Sequence, residues 1–358
     1  MKVAVLGSGK MGETVVKELR ACPQVTEITA YDVAEERIRV MRDQFGLKGT
    51  TKLQEILSDP AVRLVFVTAA NQAHKELTIQ SLEAGKAVMC EKPMANTLTD
   101  ARQMVETAER LQLFFQIGLE LRYSKLYTRI KEWVDAGLLG QVVNTHCLYT
   151  SSTYTKDAWR NRKGEAGETF GERLSHYVDL SRWWIGAEVA DVFTVASPNV
   201  VPYMEVRDNY HTSYRFKNGA VSHITFYLNY PATFRGDPLA DNITDLQMGD
   251  GHKLRYIVVG TKGAAETDVF YRRIKRFQFG DSADKMTSDW VENLTWDTKE
   301  DYFYYHNTTH QTYDIVRRVV QGLPPMTPAR DAYETMRLCF AAEQSADTGQ
   351  VVRIDHVQ

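Results

Sequence analysis

The chain opens on a short apolar run, Lys2-Val3-Ala4-Val5-Leu6, that passes at once into Gly7-Ser8-Gly9-Lys10-Met11-Gly12. Nothing else in the sequence restricts the fold as much. An apolar run bounded by glycine reads as a buried strand, and the periodic stretch from Lys10 to Ala21 reads as a helix. Between a strand and a helix, each glycine has its own use. Gly7 permits the tight turn, Gly9 leaves the backbone open to close approach, and Gly12 lets helix and strand pack closely. The N–H groups of Lys10, Met11 and their neighbours, with the positive end of the helix dipole, then form a seat for phosphate.

The same alternation continues. Strands are expected at 27–32, 64–70, 86–93 and 114–120, and helices at 34–45, 73–85 and 97–111. Thr97 or Thr99 is the expected N-cap of the last helix, with Asp100 in its first turn. Strands alternating with helices through short links imply a doubly wound parallel sheet, a Rossmann-type α/β domain. Asp32 ends the second strand, where a carboxylate would bond both hydroxyls of a ribose. A 2′-phosphate about 4 Å from it would be repelled by roughly 4 kcal/mol per unit charge at an effective dielectric near 20. NAD is therefore expected in preference to NADP.

The rhythm changes after residue 121. A helix is expected at 123–137, stopped by Gly137, then a strand at 142–154 and a helix from Gly167 to Trp184. From 189 to 280 the strands are long and joined by hairpins. Asn218-Gly219 signals a type I′ turn, and Thr261–Gly263 marks a second turn. Helices return at 304–321 and 330–346. The expected division is a Rossmann domain over 1–121 and an α+β domain with a large, mostly antiparallel sheet over 122–358. A chain of 358 residues fits two domains.

Composition removes several classes of function. The net charge of −3 gives no electrostatic footprint for nucleic acid. No apolar run approaches a membrane span, and Met1-Lys2 is too little for a signal segment. The four cysteines are far apart in the chain, which argues against a disulfide framework or a structural metal and for a reducing compartment. A cytoplasmic location is expected, with no membrane or nucleic-acid partner.

Two stretches carry chemistry. Glu91-Lys92-Pro93 lies at the end of a core strand, where open α/β sheets bind ligands. A lysine near the positive ring of an oxidised nicotinamide would lose its proton more easily, which suits proton handling. In the second stretch, Glu172, His176 and Asp179 are spaced to share one helical face. An imidazole has the right ordinary pKa for a general base, and a neighbouring carboxylate can fix its tautomer. Glu-x3-His-x2-Asp also has the spacing of a metal site, but no further His/Cys cluster supports one, and no metal is expected.

The sequence resembles the glucose–fructose oxidoreductase and inositol dehydrogenase (Gfo/Idh/MocA) family over nearly its whole length. The resemblance is carried by 7–12, VTAANQAH (67–74), GKAVMCEKP (85–93), IGLELRYSKLY (117–127), AGLLGQV (136–142), HYVD (176–179), FKNGAV (216–221), GTKGAAETD (260–268) and SADTGQVV (345–352). It implies an NAD(P)-dependent oxidoreductase acting on sugars, cyclitols and related polyols. It also implies that Lys92 bonds the reacting hydroxyl, that the peptide to Pro93 is cis, and that Thr68, Asn71, His74 and Glu91 lie near the cofactor.

The family's usual GGGxxxDxGxHxxD places its His and last Asp on His176 and Asp179. Its earlier Asp falls on Glu172 and its middle glycine on Leu174, and of the three leading glycines Gly167 alone survives. Glu120 stands where members commonly carry Asn. Glu120, Arg122, Tyr154, Trp159 and Arg160 are further candidates to contact substrate, since flat aromatic faces suit sugar C–H surfaces and Arg binds hydroxyls or anions. Trp183 and Trp184 read as core. The aromatic stretch 302–310 reads mostly as packing, with Tyr305, His306 and His310 able to reach a site. Two alternatives keep the cofactor: glycoside cleavage by transient oxidation and elimination, and a regulatory protein that binds NAD without turnover. By analogy with the family, a homodimer or homotetramer through the C-terminal sheet is expected.

Overall fold

A computed structural model describes residues 1–151, 156–228 and 253–357. In chain order the first elements are β1 (Lys2–Leu6), α1 (Lys10–Ala21), β2 (Glu27–Tyr31), α2 (Glu35–Phe45), β3 (Lys48–Thr50) and α3 (Leu53–Leu57). They continue through β4 (Val62–Val67), α4 (His74–Glu83), β5 (Ala87–Cys90), α5 (Leu98–Leu111) and β6 (Phe115–Ile117). The six strands form one parallel sheet in the order β3-β2-β1-β4-β5-β6. This is the Rossmann order, with its topological switch point between β1 and β4. Buried Val3, Val5, Leu64 and Phe66 supply the sheet's share of the core, against Val16 and Leu19 of α1 and Ile38 and Met41 of α2. Thr97 caps α5 by accepting from Asp100 N at 3.1 Å.

The second half contributes α6 (Lys125–Asp135), β7 (Val142–Thr150), α7 (Lys163–Ala166), α8 (Ser175–Ile185), β8 (Val189–Val195), β9 (Asn209–Phe216) and β10 (Val221–Tyr227). β11 (Lys253–Gly260), β12 (Gly263–Asp268), β13 (Arg273–Asp281), β14 (Met286–Thr295) and α9 (Asp301–Tyr305) follow. The chain closes with α10 (Thr308–Gln321), α11 (Ala329–Thr348) and β15 (Val352–Arg353). A nine-stranded sheet runs β14-β13-β12-β11-β7-β10-β9-β8-β15, antiparallel except for β10 against β7. Helix α8 lies on one face of it. Ser181 sits at hydrogen-bond distance from Thr145 of β7 and Ser222 of β10, and Tyr256 of β11 donates to the Tyr177 carbonyl at 2.6 Å. Trp184 is buried in this layer, edge-on to Tyr256.

Three expectations need correcting. The chain divides into two compact units, but not at a single point: residues 1–119 and 308–336 form the first, and 120–307 with 337–358 form the second. Helix α10 returns because Ile315 and Val316 bury themselves in the core of the first sheet. Thr308 and Thr312 also donate to the buried Glu18 of α1, at 2.5 and 2.6 Å. The hairpin at Asn218-Gly219 is not type I′. Gly219 has φ 87°, whereas Asn218 does not enter positive φ. Gly219 N donates to Phe216 O at 3.0 Å and Phe216 N to Ala220 O at 2.8 Å. A three-residue loop with one left-handed glycine at its end needs a positive φ at one position, where type I′ needs two. Finally, β6 stops at Ile117, and Glu120–Tyr123 form a helical turn.

Candidate functional site

In the first unit the glycine turn is shaped for a bound group. Gly7 has φ 107°, a conformation that favours glycine. A Cβ at Gly7 would lie 2.4 Å from Ala69 N, and one at Gly12 would lie 2.1 Å from Gly7 O. Both glycines are thus required by the protein itself. A Cβ at Gly9 meets nothing within 4 Å, so the protein leaves space beside that backbone. Gly9 is the N-cap of α1 and offers no side chain to its first amides. Lys10 and Met11, the first helical residues, are exposed. Thr68 Oγ1 donates to Gly7 O at 2.7 Å and ties the turn to the end of β4.

Asp32 is held beside this turn by its backbone. Its Oδ2 accepts from Ser8 N at 2.8 Å and its Oδ1 from Ala34 N at 3.0 Å. The carboxylate is therefore fixed one residue beyond β2, at the sheet's carboxyl edge. An uncapped helix N-terminus, an open glycine and an oriented carboxylate suit the pyrophosphate and ribose of a dinucleotide.

The Glu91-Lys92-Pro93 turn leaves the same edge. Glu91 N donates to Val67 O at 3.0 Å, and the Lys92–Pro93 peptide is cis. Glu91 is buried, with its Oε2 3.3 Å from Lys92 N. His74 opens α4 and is fully buried. Its Nδ1 lies 2.8 Å from Pro93 O and its Nε2 3.1 Å from Ala69 O. A neutral ring can donate to one of these carbonyls. Burial pushes the His74 pKa down, while the two carbonyls pull it up. His74 thus ties the ends of two crevice-forming segments together. Asn71 is buried in the short turn before it.

The second unit carries the other candidates. The helix expected from Gly167 is irregular: Phe170–Leu174 form a π-helical turn before α8 begins at Ser175. The inserted residue breaks the regular spacing between Glu172 and His176, whereas His176 and Asp179 both lie in the regular α8. Each of the three side chains is buried, and their neighbours differ from expectation. Glu172 Oε1 accepts from Arg160 Nε at 2.7 Å. Asp179 takes Arg122 in a two-pronged pair, Nε to Oδ2 and Nη2 to Oδ1, both at 2.7 Å. Glu120 is within ion-pair distance of His176, its Oε2 3.2 Å from Nε2, although the two are not aligned as a hydrogen bond. Its other oxygen lies 2.8 Å from Nδ1 of His306. Glu120, read from sequence as a substrate contact, is thus buried between two imidazoles.

Arg160 also stacks on Trp159, its guanidinium carbon 4.5 Å from the ring centroid. Beside Arg160 lies a small crevice, with room for about one water molecule, lined by Arg160, Thr169, Glu172, Arg173, Met204 and Leu228. Arg173 donates to the Tyr149 hydroxyl at 2.8 Å and to Ser151 Oγ at 2.9 Å. Arg173 went unremarked in the sequence because it lies between motif positions. Tyr154 lies outside the described residues. His310 falls in α10 of the first unit and His306 in the second, so the aromatic stretch is divided between them.

Glu343 of α11 is a further residue that sequence reasoning missed. It accepts Phe170 N at 3.1 Å, at the start of the π-turn, and the Tyr210 hydroxyl at 2.7 Å. Burial, with Glu168 nearby, raises its pKa to about 7, although Arg207 lies 3.3 Å away and pulls the other way.

Comparison with known proteins agrees with both halves. The oxidoreductase family profile with an NAD-binding Rossmann fold matches residues 1–119, and the GFO/IDH/MocA C-terminal domain matches residues 127–266. The myo-inositol 2-dehydrogenase of Thermotoga maritima is 24% identical over 363 residues, covering 100% of this chain and 99% of that protein. Among solved structures, levoglucosan dehydrogenase with NADH and levoglucosan shares the fold at a TM-score of 0.81 and 20% identity, with 99% of each chain covered. GenD2 from gentamicin A biosynthesis, solved with NAD, has a TM-score of 0.78 at 24% identity, covering 99% of this chain and 96% of that one. With both halves matched in order, the chain belongs to the Gfo/Idh/MocA oxidoreductases, and its residues 1–119 are their NAD-binding Rossmann domain.

Proposed function

We propose that the protein interconverts a secondary alcohol and a ketone on a cyclitol, sugar or related polyol. NAD on the Gly7–Gly12 turn and Asp32 supplies the hydride acceptor when bound. Lys92 polarises the reacting hydroxyl, and His176 takes its proton. The observation that carries this reading is the burial of His176 against the Glu120 carboxylate. A neighbouring negative charge favours the imidazolium that a general base becomes. Glu172 and Arg160 line a small polar crevice and Trp159 stacks on Arg160, a grouping whose polar atoms and flat aromatic face suit a polyhydroxylated ring. Arg122 and Asp179 brace α8 beneath His176 and act through its position. The inositol dehydrogenases among the relatives make cyclitols the first substrates to try.

The test is a panel of cyclitols, sugars and glycosides with NAD⁺ and NADP⁺, followed by absorbance of the reduced cofactor. His176→Ala should lower kcat by on the order of 10²–10⁴ while leaving NAD affinity intact. Lys92→Ala should also collapse turnover; loss of stability with turnover retained would make Lys92 structural. Near-wild-type kcat in the His176 variant sinks the acid–base assignment. Glycoside cleavage without net NADH would instead indicate transient oxidation and elimination.

The nine-stranded sheet also exposes Phe193, Val195 and Ile257. A second copy covering that face would give a homodimer or homotetramer. Light scattering decides this, and a monomer at assay concentration counts against it.

A further inference from the structure

Glu120 holds a single negative charge between two imidazoles, with Oε2 3.2 Å from His176 Nε2 and Oε1 2.8 Å from His306 Nδ1. The side chains of His176 and Glu120 are 6% and 7% exposed, and that of His306 is 22% exposed. The array therefore runs from a buried ring, through a buried carboxylate, to a ring that reaches water. Charged groups on the neighbouring segments have partners outside the array. Arg122 on the Glu120 turn pairs with Asp179 of α8, and Glu172 on the π-turn pairs with Arg160. Arg173, on the same π-turn, is held by hydroxyls of β7 and the residue after it. Tyr305 shares a 2.6 Å hydroxyl contact with Tyr177, and its ring packs on His306 at 4.4 Å between centroids. Both of those phenols stay protonated, since burial pushes their pKa values well above the ordinary one.

We propose that His176, Glu120 and His306 form a proton relay, in which Glu120 positions and charges His176 and His306 exchanges the proton with water. The inference rests on His176 being the acid–base group. In the oxidative direction the substrate O–H breaks and its proton goes to the His176 nitrogen facing away from Glu120, while a bound nicotinamide would accept the hydride from the C–H bond. The proton on His176 Nε2 then moves to the Glu120 carboxylate, once a small rotation of the ring brings the 3.2 Å contact into hydrogen-bond alignment. The carboxylic acid passes a proton to His306 Nδ1, and His306 releases its Nε2 proton to water. One alcohol thus gives one ketone, one hydride and one proton, and both imidazoles end neutral but in the opposite tautomer, so each ring must turn over or exchange its proton with water before the next turnover. Reduction runs the same steps in reverse. A base buried this deeply turns over repeatedly only if the proton it gains has an exit, and the array supplies one.

The experiment compares Glu120→Gln, His306→Ala, His306→Gln and His176→Ala with the wild type. It uses NAD⁺ and myo-inositol, or the most active polyol of the panel, across pH and at graded concentrations of imidazole buffer. NAD affinity and thermal midpoint are read in parallel to show that each variant is folded. The His306 variants should lose about tenfold or more in kcat with little change in KM, and His306→Ala should recover as imidazole is added. Glu120→Gln should lose on the order of 10–10²-fold, show no recovery, and shift the pH–kcat limb that reports His176 to lower pH. Folded His306 variants with wild-type kcat and no buffer dependence overturn the relay. An unshifted pH limb in folded Glu120→Gln also overturns it. If His176→Ala keeps its turnover, the acid–base reading itself falls, whereas its loss alongside unaffected His306 variants removes the relay alone.

Discussion

Arg122 and Asp179 meet end to end, two hydrogen bonds of 2.7 Å each, with the side chains 6% and 1% exposed. Such a pair is costly to break from one side, because the surviving charge stays buried. Asp179→Ala should lower the stability of the second unit by about 3–5 kcal/mol. Replacing both partners, Arg122→Met with Asp179→Leu, should recover most of that loss, because neither charge then remains. Urea midpoints of the single and double variants check this. A single variant as stable as the wild type would show that the pair does not brace α8.

The glycine turn separates folding from binding. A Cβ at Gly12 would sit 2.1 Å from a backbone oxygen, whereas one at Gly9 enters open space. Gly12→Ala should therefore lower the thermal midpoint as well as cofactor binding. Gly9→Ala should leave the midpoint within a degree or two and weaken NAD at least tenfold, a loss of about 1.4 kcal/mol. Calorimetry and fluorescence titration read the two effects. Unchanged NAD affinity in Gly9→Ala would remove the pyrophosphate from that backbone.

Asp32 keeps two backbone donors, Ser8 N and Ala34 N. Its charge should exclude a 2′-phosphate as well as hold a ribose. Asp32→Ala should raise the affinity for NADP relative to NAD by on the order of 10²-fold, part of the ~4 kcal/mol that two close unit charges set apart. It should also cost about 1 kcal/mol of stability from the lost acceptors. Titration with both cofactors checks the ratio, and an unchanged ratio would place selectivity elsewhere.

Much of the first unit is legible because it is written in local periods. Buried runs such as Val62–Val67 and amphipathic helices such as α5 reveal themselves within a dozen residues. What escapes is long-range. Nothing near Ile315 says that α10 belongs to the core of the first sheet. In the second unit, His176 and Glu172 are visible as motif positions, but their partners are not. A regular period assigns Asp179 and Glu172 to His176. The π-turn interrupts that period between Glu172 and His176, Arg122 takes up Asp179, and Glu120 and His306 arrive from distant segments. Partnership between side chains far apart in the chain leaves no periodic trace.

Glu343 links the stability of the second unit to pH. Its carboxyl titrates near 7 in the folded protein because it is buried, against an ordinary value of 4.5. The folded state therefore holds a proton that the unfolded state has already released between these two values. Stability falls as pH rises through this window, by about 3 kcal/mol in all, and the loss is complete above the folded value. Below the ordinary carboxyl value both states are protonated and no penalty applies. Glu343→Gln keeps an acceptor for Phe170 N and the Tyr210 hydroxyl but has no charge to bury. Its urea midpoint should match the wild type near pH 5 and exceed it near pH 8. The π-turn that starts at Phe170 leads into His176, so wild-type turnover should also decline faster than the variant's during incubation at alkaline pH. Parallel pH dependences of the two midpoints would show that Glu343 does not titrate in this window.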